Sequence, residues 1–258
     1  MPMHVSPTAL EREAALVAWL RSRGSVLIGF SGGVDSAYLA CVALDALGPD
    51  RVLAVIGRSA SYPLEQWSRA REVAGRFGVP VLELDTDELN DPRYAANPSN
   101  RCYFCKAELW SRLVPVALER GLAVVVDGTN ADDGRDHRPG TGAAVERGVR
   151  SPLAELGFTK SEIRALSRER DIPTWSQPSS PCLASRLPYV LNARTTVIGC
   201  ADGGEDFDLE LSLSSSLGAP VDPREMLRGV LRRTEMPRAV HILTANESAA
   251  HEYTQRYK

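Results

Sequence analysis

Val26-Leu27-Ile28-Gly29-Phe30-Ser31-Gly32-Gly33-Val34-Asp35-Ser36 joins a short apolar run to a glycine pair and then to a segment, Ala37 to Leu47, that resumes with helical spacing. A run of this kind, ending at a glycine turn and followed by a 3.6-residue period, reads as strand, turn, helix. Gly32 and Gly33 carry no β-carbon, so the backbone here can take positive φ and bring several N–H groups close to an anion. Ser36 then opens a helix whose N-terminal dipole favours negative charge. The turn reads as a phosphate cradle. It lacks the Gly-Lys-Ser/Thr ending of a Walker loop, so no lysine within it reaches for β and γ phosphates, and Asp35 stands where it could hold magnesium. A tight strand-to-helix turn without a ligand is the plain alternative.

The same unit repeats along the chain. Val52-Leu53-Ala54-Val55-Ile56 precedes a helical pattern from Leu64 to Phe77. Val81-Leu82-Glu83-Leu84 leads through a polar loop to another from Glu108 to Arg120, and Ala123 to Val126 supplies a fourth strand. Ahead of them, Thr8 and Glu11 have capping-box spacing, with Leu10, Ala14, Leu16, Val17 and Leu20 as the apolar face of a helix ending near Gly24. Thr159 and Glu162 start a later helix in the same way, running to about Arg170. Strands alternating with helices predict an α/β fold: a doubly wound parallel sheet with helices on both faces. Such sheets bind ligands beyond the carboxyl ends of their strands. The glycine turn, Gly57 to Tyr62, and Asp127-Gly128-Thr129-Asn130 all fall at such ends, so they are expected to converge on one site.

Pro173, Pro178, Pro181 and Pro188 punctuate a rigid loop carrying Cys182. Residues 1–188 therefore form one expected domain. From 189 to 258 the character changes, with Gly203-Gly204, an acidic stretch from Asp202 to Asp208 and serines from Ser212 to Ser216. A small α+β or partly disordered region is expected there, with a helix over Pro223 to Arg233 and a strand over Ala239 to Leu243.

With 258 residues and 43% hydrophobic content, the chain is long and apolar enough to bury a full core. No apolar run approaches the roughly 18 to 20 residues that span a bilayer, and the first residues lack a secretion signal, so a cytoplasmic location is expected. Net charge is −3 and the basic residues are scattered, which argues against a nucleic-acid partner. The cysteines are Cys41, Cys102, Cys105, Cys182 and Cys200, an odd number that does not suit a disulfide framework. Cys41 lies in an apolar helix and reads as core.

Ser31-Gly32-Gly33-Val34-Asp35-Ser36 resembles the PP-loop of ATP pyrophosphatases, which attach AMP to a carbonyl or carboxylate oxygen and release pyrophosphate. The resemblance implies that Ser31, Gly32, Gly33, Asp35 and Ser36 hold the pyrophosphate, while Arg58, Ser59 and Ser61 resemble the stretch that frames the nucleotide. Three further stretches narrow it: Arg101-Cys102-Tyr103-Phe104-Cys105-Lys106; Asp127 to Asp133 with Asp136-His137-Arg138-Pro139-Gly140; and Pro181-Cys182-Leu183-Ala184-Ser185-Arg186-Leu187-Pro188. Together, from about residue 8 to Tyr189, they resemble the LarE-type sulfur transferases. Members of that family adenylate a pyridinium dicarboxylate mononucleotide and insert sulfur to build a nickel-pincer nucleotide.

The resemblance implies ATP and Mg2+ as cofactors, a small phosphorylated nucleotide or other carboxylate as substrate, and a homo-oligomer. In one branch of the family the cysteine matching Cys182 gives up its own sulfur. In another, three cysteines hold an iron–sulfur cluster; this chain has all three candidates, Cys102, Cys105 and Cys182, so a 4Fe-4S site is the expectation. A zinc site or a sacrificial Cys182 remain the alternatives. Gly128, Asn130 and Asp133, in the stretch after the fourth strand, are further candidates for cofactor binding. Asp132, Asp133 and Asp136 could bind a second magnesium or orient the substrate. Arg138 and Arg186 could each grip a phosphate bidentately, and each could equally be a surface ion pair. After Tyr189 the family pattern stops, and Val190 stands where relatives have glycine. A different sulfur acceptor is therefore expected to be possible. Transfer-RNA thiolation, ATP-dependent amide synthesis and a nucleotide-binding protein without catalysis are the competing readings.

Overall fold

The computed structural model describes residues 5–59, 61–133, 139–178 and 182, together with the backbone of three strands nearer the carboxyl end. In the first part the chain runs α1 (Pro7–Arg23), β1 (Val26–Gly29), α2 (Val34–Leu47), β2 (Val52–Arg58), α3 (Leu64–Phe77) and β3 (Val81–Asp85). It continues with α4 (Pro92–Ala95), α5 (Arg101–Glu119), β4 (Val124–Val126), α6 (Pro139–Glu146), α7 (Pro152–Glu155) and α8 (Lys160–Glu169). The strands form one sheet in the order β3-β2-β1-β4, every pairing parallel.

Alternation along each strand shows why the sheet is covered twice. Val26 and Ile28 of β1, Ala54 and Ile56 of β2 and Val126 of β4 point into a core built with α1, α2, α3 and α8. Their neighbours Leu27, Val55 and Val125 point into a second core with Trp110, Leu113 and Ala117 of α5 and Ala143 and Ala144 of α6. Successive strand residues face opposite sides, so a strand whose every residue is apolar needs helices on both. The expected doubly wound α/β sheet is the observed one. β1, at its centre, puts the glycine turn in the middle of the carboxyl edge.

Two boundaries differ from the sequence reading, each for a local reason. α1 is capped by Ser6, whose Oγ accepts from Ala9 N at 3.1 Å, and not by Thr8. Pro7 sets that start, because a proline's fixed φ and missing N–H suit the first helical position. α5 begins at Arg101, well before Glu108. Its first turns hide from a periodicity search because the buried residue there is an arginine, whose Nη1 donates to Asn97 Oδ1 at 2.6 Å. Cys102 and Cys105 are therefore helical, one turn apart on a shared side of α5, and not on a loop.

The carboxyl-terminal strands are β5 (Asp208–Leu211), β6 (Ala239–Asn246) and β7 (Ala249–Arg256). β5 pairs parallel to β6, and β6 pairs antiparallel to β7. The expected strand at Ala239 is present and longer than anticipated; the expected helix over residues 223–233 lies outside the described residues.

Candidate functional site

The glycine turn is braced from within. Gly32 has φ +70°, the left-handed region that favours glycine. Ser36 Oγ donates to Gly33 O at 3.1 Å and lies 3.2 Å from Ser31 Oγ, which accepts from Gly33 N at 3.4 Å. Tyr62, from the turn after β2, donates its hydroxyl to Ser31 O at 2.9 Å. Gly128, beyond β4, stands so close that a β-carbon there would lie 2.9 Å from Ser36 N. The ends of β1, β2 and β4 thus meet around the N-terminus of α2, whose free N–H groups and dipole suit an anion.

Behind the cradle is an acidic cluster with one lysine. Lys160 Nζ binds the Asp35 carboxylate. Asn130 Nδ2 donates to Asp35 Oδ1 at 3.4 Å, and Asn130 is itself buried, 2% exposed. Asn130 N donates to Asp133 Oδ2 at 3.0 Å, and Lys160 N donates to Asp132 Oδ2 at 2.8 Å. Burial pushes the Asp35 carboxyl above the usual carboxylate range and the charge of Asp133 adds to this, against the pull of Lys160. Nothing in the sequence reading singles out Lys160. The Thr159–Glu162 capping box, present as expected, is the signal that could have found it, since it makes Lys160 the first residue of α8.

On the other side of the cradle, Ser61 Oγ lies 2.9 Å from Ser59 Oγ and donates to Glu88 Oε1 at 2.8 Å. Glu88 is 2% exposed, and its other oxygen has no partner among the described residues. Burying a carboxylate costs several kcal/mol unless its oxygens are satisfied, which makes Glu88 the strongest polar feature that the sequence concealed. It precedes Leu89, which packs with Phe104, Cys105 and Cys182 against the buried ring of Tyr94. Cys105 and Cys182, distant in sequence, share this pocket, while Cys102 is exposed.

Other expected residues divide as follows. Arg58 is turned to the sheet's outer edge, where Nη2 binds Asp85 at 2.7 Å and Nη1 approaches Glu83 at 3.4 Å. β2 and β3 pair in a register that sets Arg58 beside Asp85, so the arginine is committed to a cross-strand ion pair. Arg138 and Arg186, with Asp136 and His137, lie outside the described residues. Among the described residues no three His, Cys, Asp or Glu side chains are gathered closely enough to hold a metal ion. The three thiols do not form a cage in this arrangement. No helix among the described residues is long and apolar enough to cross a membrane.

A parallel sheet with a braced glycine turn at the central strand's carboxyl end is the arrangement of a PP-loop fold, and residues 15–113 match the NAD synthase family model. Solved structures agree on the fold. NMN synthetase from Francisella tularensis superimposes with a TM-score of 0.53 at 21% identity, over 67% of this chain and 75% of that one. NH3-dependent NAD synthetase from Campylobacter jejuni does so at 0.53 and 15%, over 66% and 77%. Within this class the chain is similar to the LarE-type proteins. It is 37% identical to the pyridinium-3,5-bisthiocarboxylic acid mononucleotide synthase of Lactiplantibacillus plantarum over 182 residues, 70% of this chain and 66% of the relative. A Synechocystis protein described as uncharacterized is 49% identical over 163 residues, 63% of this chain and 60% of its own length. The chain thus spans 60% to 66% of the length of these two relatives.

Proposed function

We propose that the protein is an AMP-forming sulfur transferase that adenylates a small carboxylate, releases pyrophosphate and replaces the activated oxygen with sulfur. One observation carries this reading: Ser61, next to the Tyr62 that holds Ser31 O, donates to Glu88, and the following residue, Leu89, packs with Cys105 and Cys182 against Tyr94. An activating site and a sulfur site are thereby neighbours.

The chemistry follows from the groups present. A substrate carboxylate oxygen attacks the α-phosphorus of ATP and pyrophosphate leaves toward the N-terminus of α2. The N–H groups there and Lys160 are fixed in advance where the leaving charge develops, a contribution of several kcal/mol in comparable sites. Sulfur then attacks the acyl carbon and AMP leaves. Magnesium fits the residues: Asp35 and Asp133 are hard oxygen donors whose charges are felt by one another, and one or two carboxylates with substrate phosphates suffice for that ion. Bound there, it would neutralise phosphate charge. An iron–sulfur cluster on Cys102, Cys105 and Cys182 does not fit the placement of these thiols as described.

The substrate supported by the Lactiplantibacillus plantarum relative's name is a pyridinium dicarboxylic acid mononucleotide. Incubation with this acid, ATP and magnesium should yield AMP and pyrophosphate in equal amounts, together with a thiocarboxylate when a sulfur source is present. Release of ADP and phosphate would contradict the reading. The match to the NAD synthase model supports a second reading, amide formation from ammonia. It requires product formation to depend on ammonium and to be indifferent to loss of Cys182.

A further inference from the structure

Three side chains recur at four-residue spacing along α8, and each holds a different part of the molecule. Lys160 Nζ binds the carboxylate of Asp35 in the cradle, and Lys160 N donates to Asp132 Oδ2 at 2.8 Å. Arg164, one turn further on, donates from Nη2 to Gln177 O at 2.8 Å and from Nη1 to Trp175 O at 3.4 Å. Arg168 lays its guanidinium over the Trp175 ring, 5.1 Å from the centroid. Residues at i and i+4 share a helix face, so one side of α8 reaches from the cradle to the segment that follows the helix. Gln177 ends the short 3-10 turn Pro173–Ser176 in an extended conformation, φ −62° and ψ 132°, which is what the proline after it favours. Five residues beyond Gln177, Cys182 packs with Leu89, Phe104 and Cys105 against Tyr94.

Two carbonyls that accept from a single guanidinium are fixed in direction as well as in place, because its N–H groups form a planar fork. At about 1.5 Å of rise per residue, Arg164 lies about 6 Å along the helix axis from Lys160. One rigid helix therefore sets both ends of the link. We propose that Arg164 is a positioning residue for the sulfur-transfer reading above, on which this inference rests. It holds the chain leading to Cys182 in place relative to the cradle, so that sulfur reaches the activated carboxylate before water does. Where that hold is lost, adenylation continues, because Lys160 and Asp35 are untouched. Water then attacks the acyl carbon, AMP leaves and the carboxylate is regenerated.

The test uses the full chain, in excess over the pyridinium dicarboxylic acid mononucleotide, with ATP, magnesium and sodium sulfide. Arg164→Met should release pyrophosphate within about twofold of the wild-type rate, while thiocarboxylate formed per pyrophosphate falls at least about tenfold, the scale on which small misplacements act. Arg164→Lys keeps the charge and loses the fork, so its ratio should fall between the two. A second measurement needs no turnover: iodoacetamide labelling without substrates, read by peptide mass. In Arg164→Met the half-buried Cys182 should be alkylated several-fold faster than in wild type, with exposed Cys102 unchanged and buried Cys41 still protected as the sign of a retained fold. Should Cys41 react, Arg164→Lys carries both measurements. An unchanged ratio of thiocarboxylate to pyrophosphate, or unchanged labelling of Cys182, would overturn the proposal. A wild type that releases pyrophosphate but forms no thiocarboxylate would instead sink the sulfur-transferase reading, and Cys182 labelling would still decide whether Arg164 fixes the chain.

Discussion

Lys160 Nζ is in direct contact with the carboxylate of Asp35, although 125 residues separate them. Asp35 lies in the first turn of α2 and Lys160 opens α8, so two helix N-termini meet at the phosphate cradle. A lysine from a distant helix thus stands beside a turn that carries none of its own. Lys160→Gln should lower kcat/KM for pyrophosphate release by about a hundredfold, the scale for losing one fixed stabilising donor. Circular dichroism should show the fold retained.

Asp35→Asn separates the cost of that carboxylate from its use. The Asp35 carboxyl is held above its ordinary value of 3.8, with burial the largest cause. The folded state therefore binds the proton more tightly than the unfolded chain does, and ionised Asp35 destabilises the fold. The penalty is absent below the unfolded value, grows as pH rises toward the folded value and is complete above it. In urea titrations the Asp35→Asn variant should be more stable than wild type at neutral pH, with the difference vanishing in acid near and below that unfolded value. Its pyrophosphate release should be abolished at every pH.

Gly128→Ala tests the closeness of β4 to the cradle. Its β-carbon would meet the backbone of Ser36 at 2.9 Å, and backbone in a helix's first turn has little room to yield. Such overpacking costs about 1–3 kcal/mol. The variant should fold with a lower denaturation midpoint and bind ATP weakly in calorimetry.

Tyr62→Phe removes the hydroxyl that holds Ser31 O. Burial pushes this phenol up to about 12, so it stays a donor throughout the assay range. Stability should fall by about 0.5–1.5 kcal/mol, the net worth of one such bond. KM for ATP should rise several-fold while kcat changes little, because the loop is then less well held before the nucleotide binds.

The sheet was legible because β1, β2 and β4 are apolar at every core position and are followed by helices, a pattern that only a doubly covered parallel sheet satisfies. The glycine turn was legible because Gly32 and Gly33 stand between an apolar run and a helical period, and Gly32 takes the positive φ expected of it. Lys160 and Glu88 were not: a charged residue in sequence reads as surface, and only tertiary packing shows that Glu88 is buried against Ser61. For Arg58, expected at the nucleotide, the register of β2 on β3 adds a carboxylate partner that spacing cannot reveal. The early start of α5 was masked by the buried Arg101, and with it the helical relation of Cys102 to Cys105.

The central claim is that the cradle cleaves ATP between the α and β phosphorus while a carboxylate is activated. With carboxylate substrate labelled with 18O, ATP and magnesium, the label should appear in AMP when thiocarboxylate forms, with one pyrophosphate released for each AMP. Label found in inorganic phosphate with ADP as the nucleotide product, or AMP carrying no label, would contradict it.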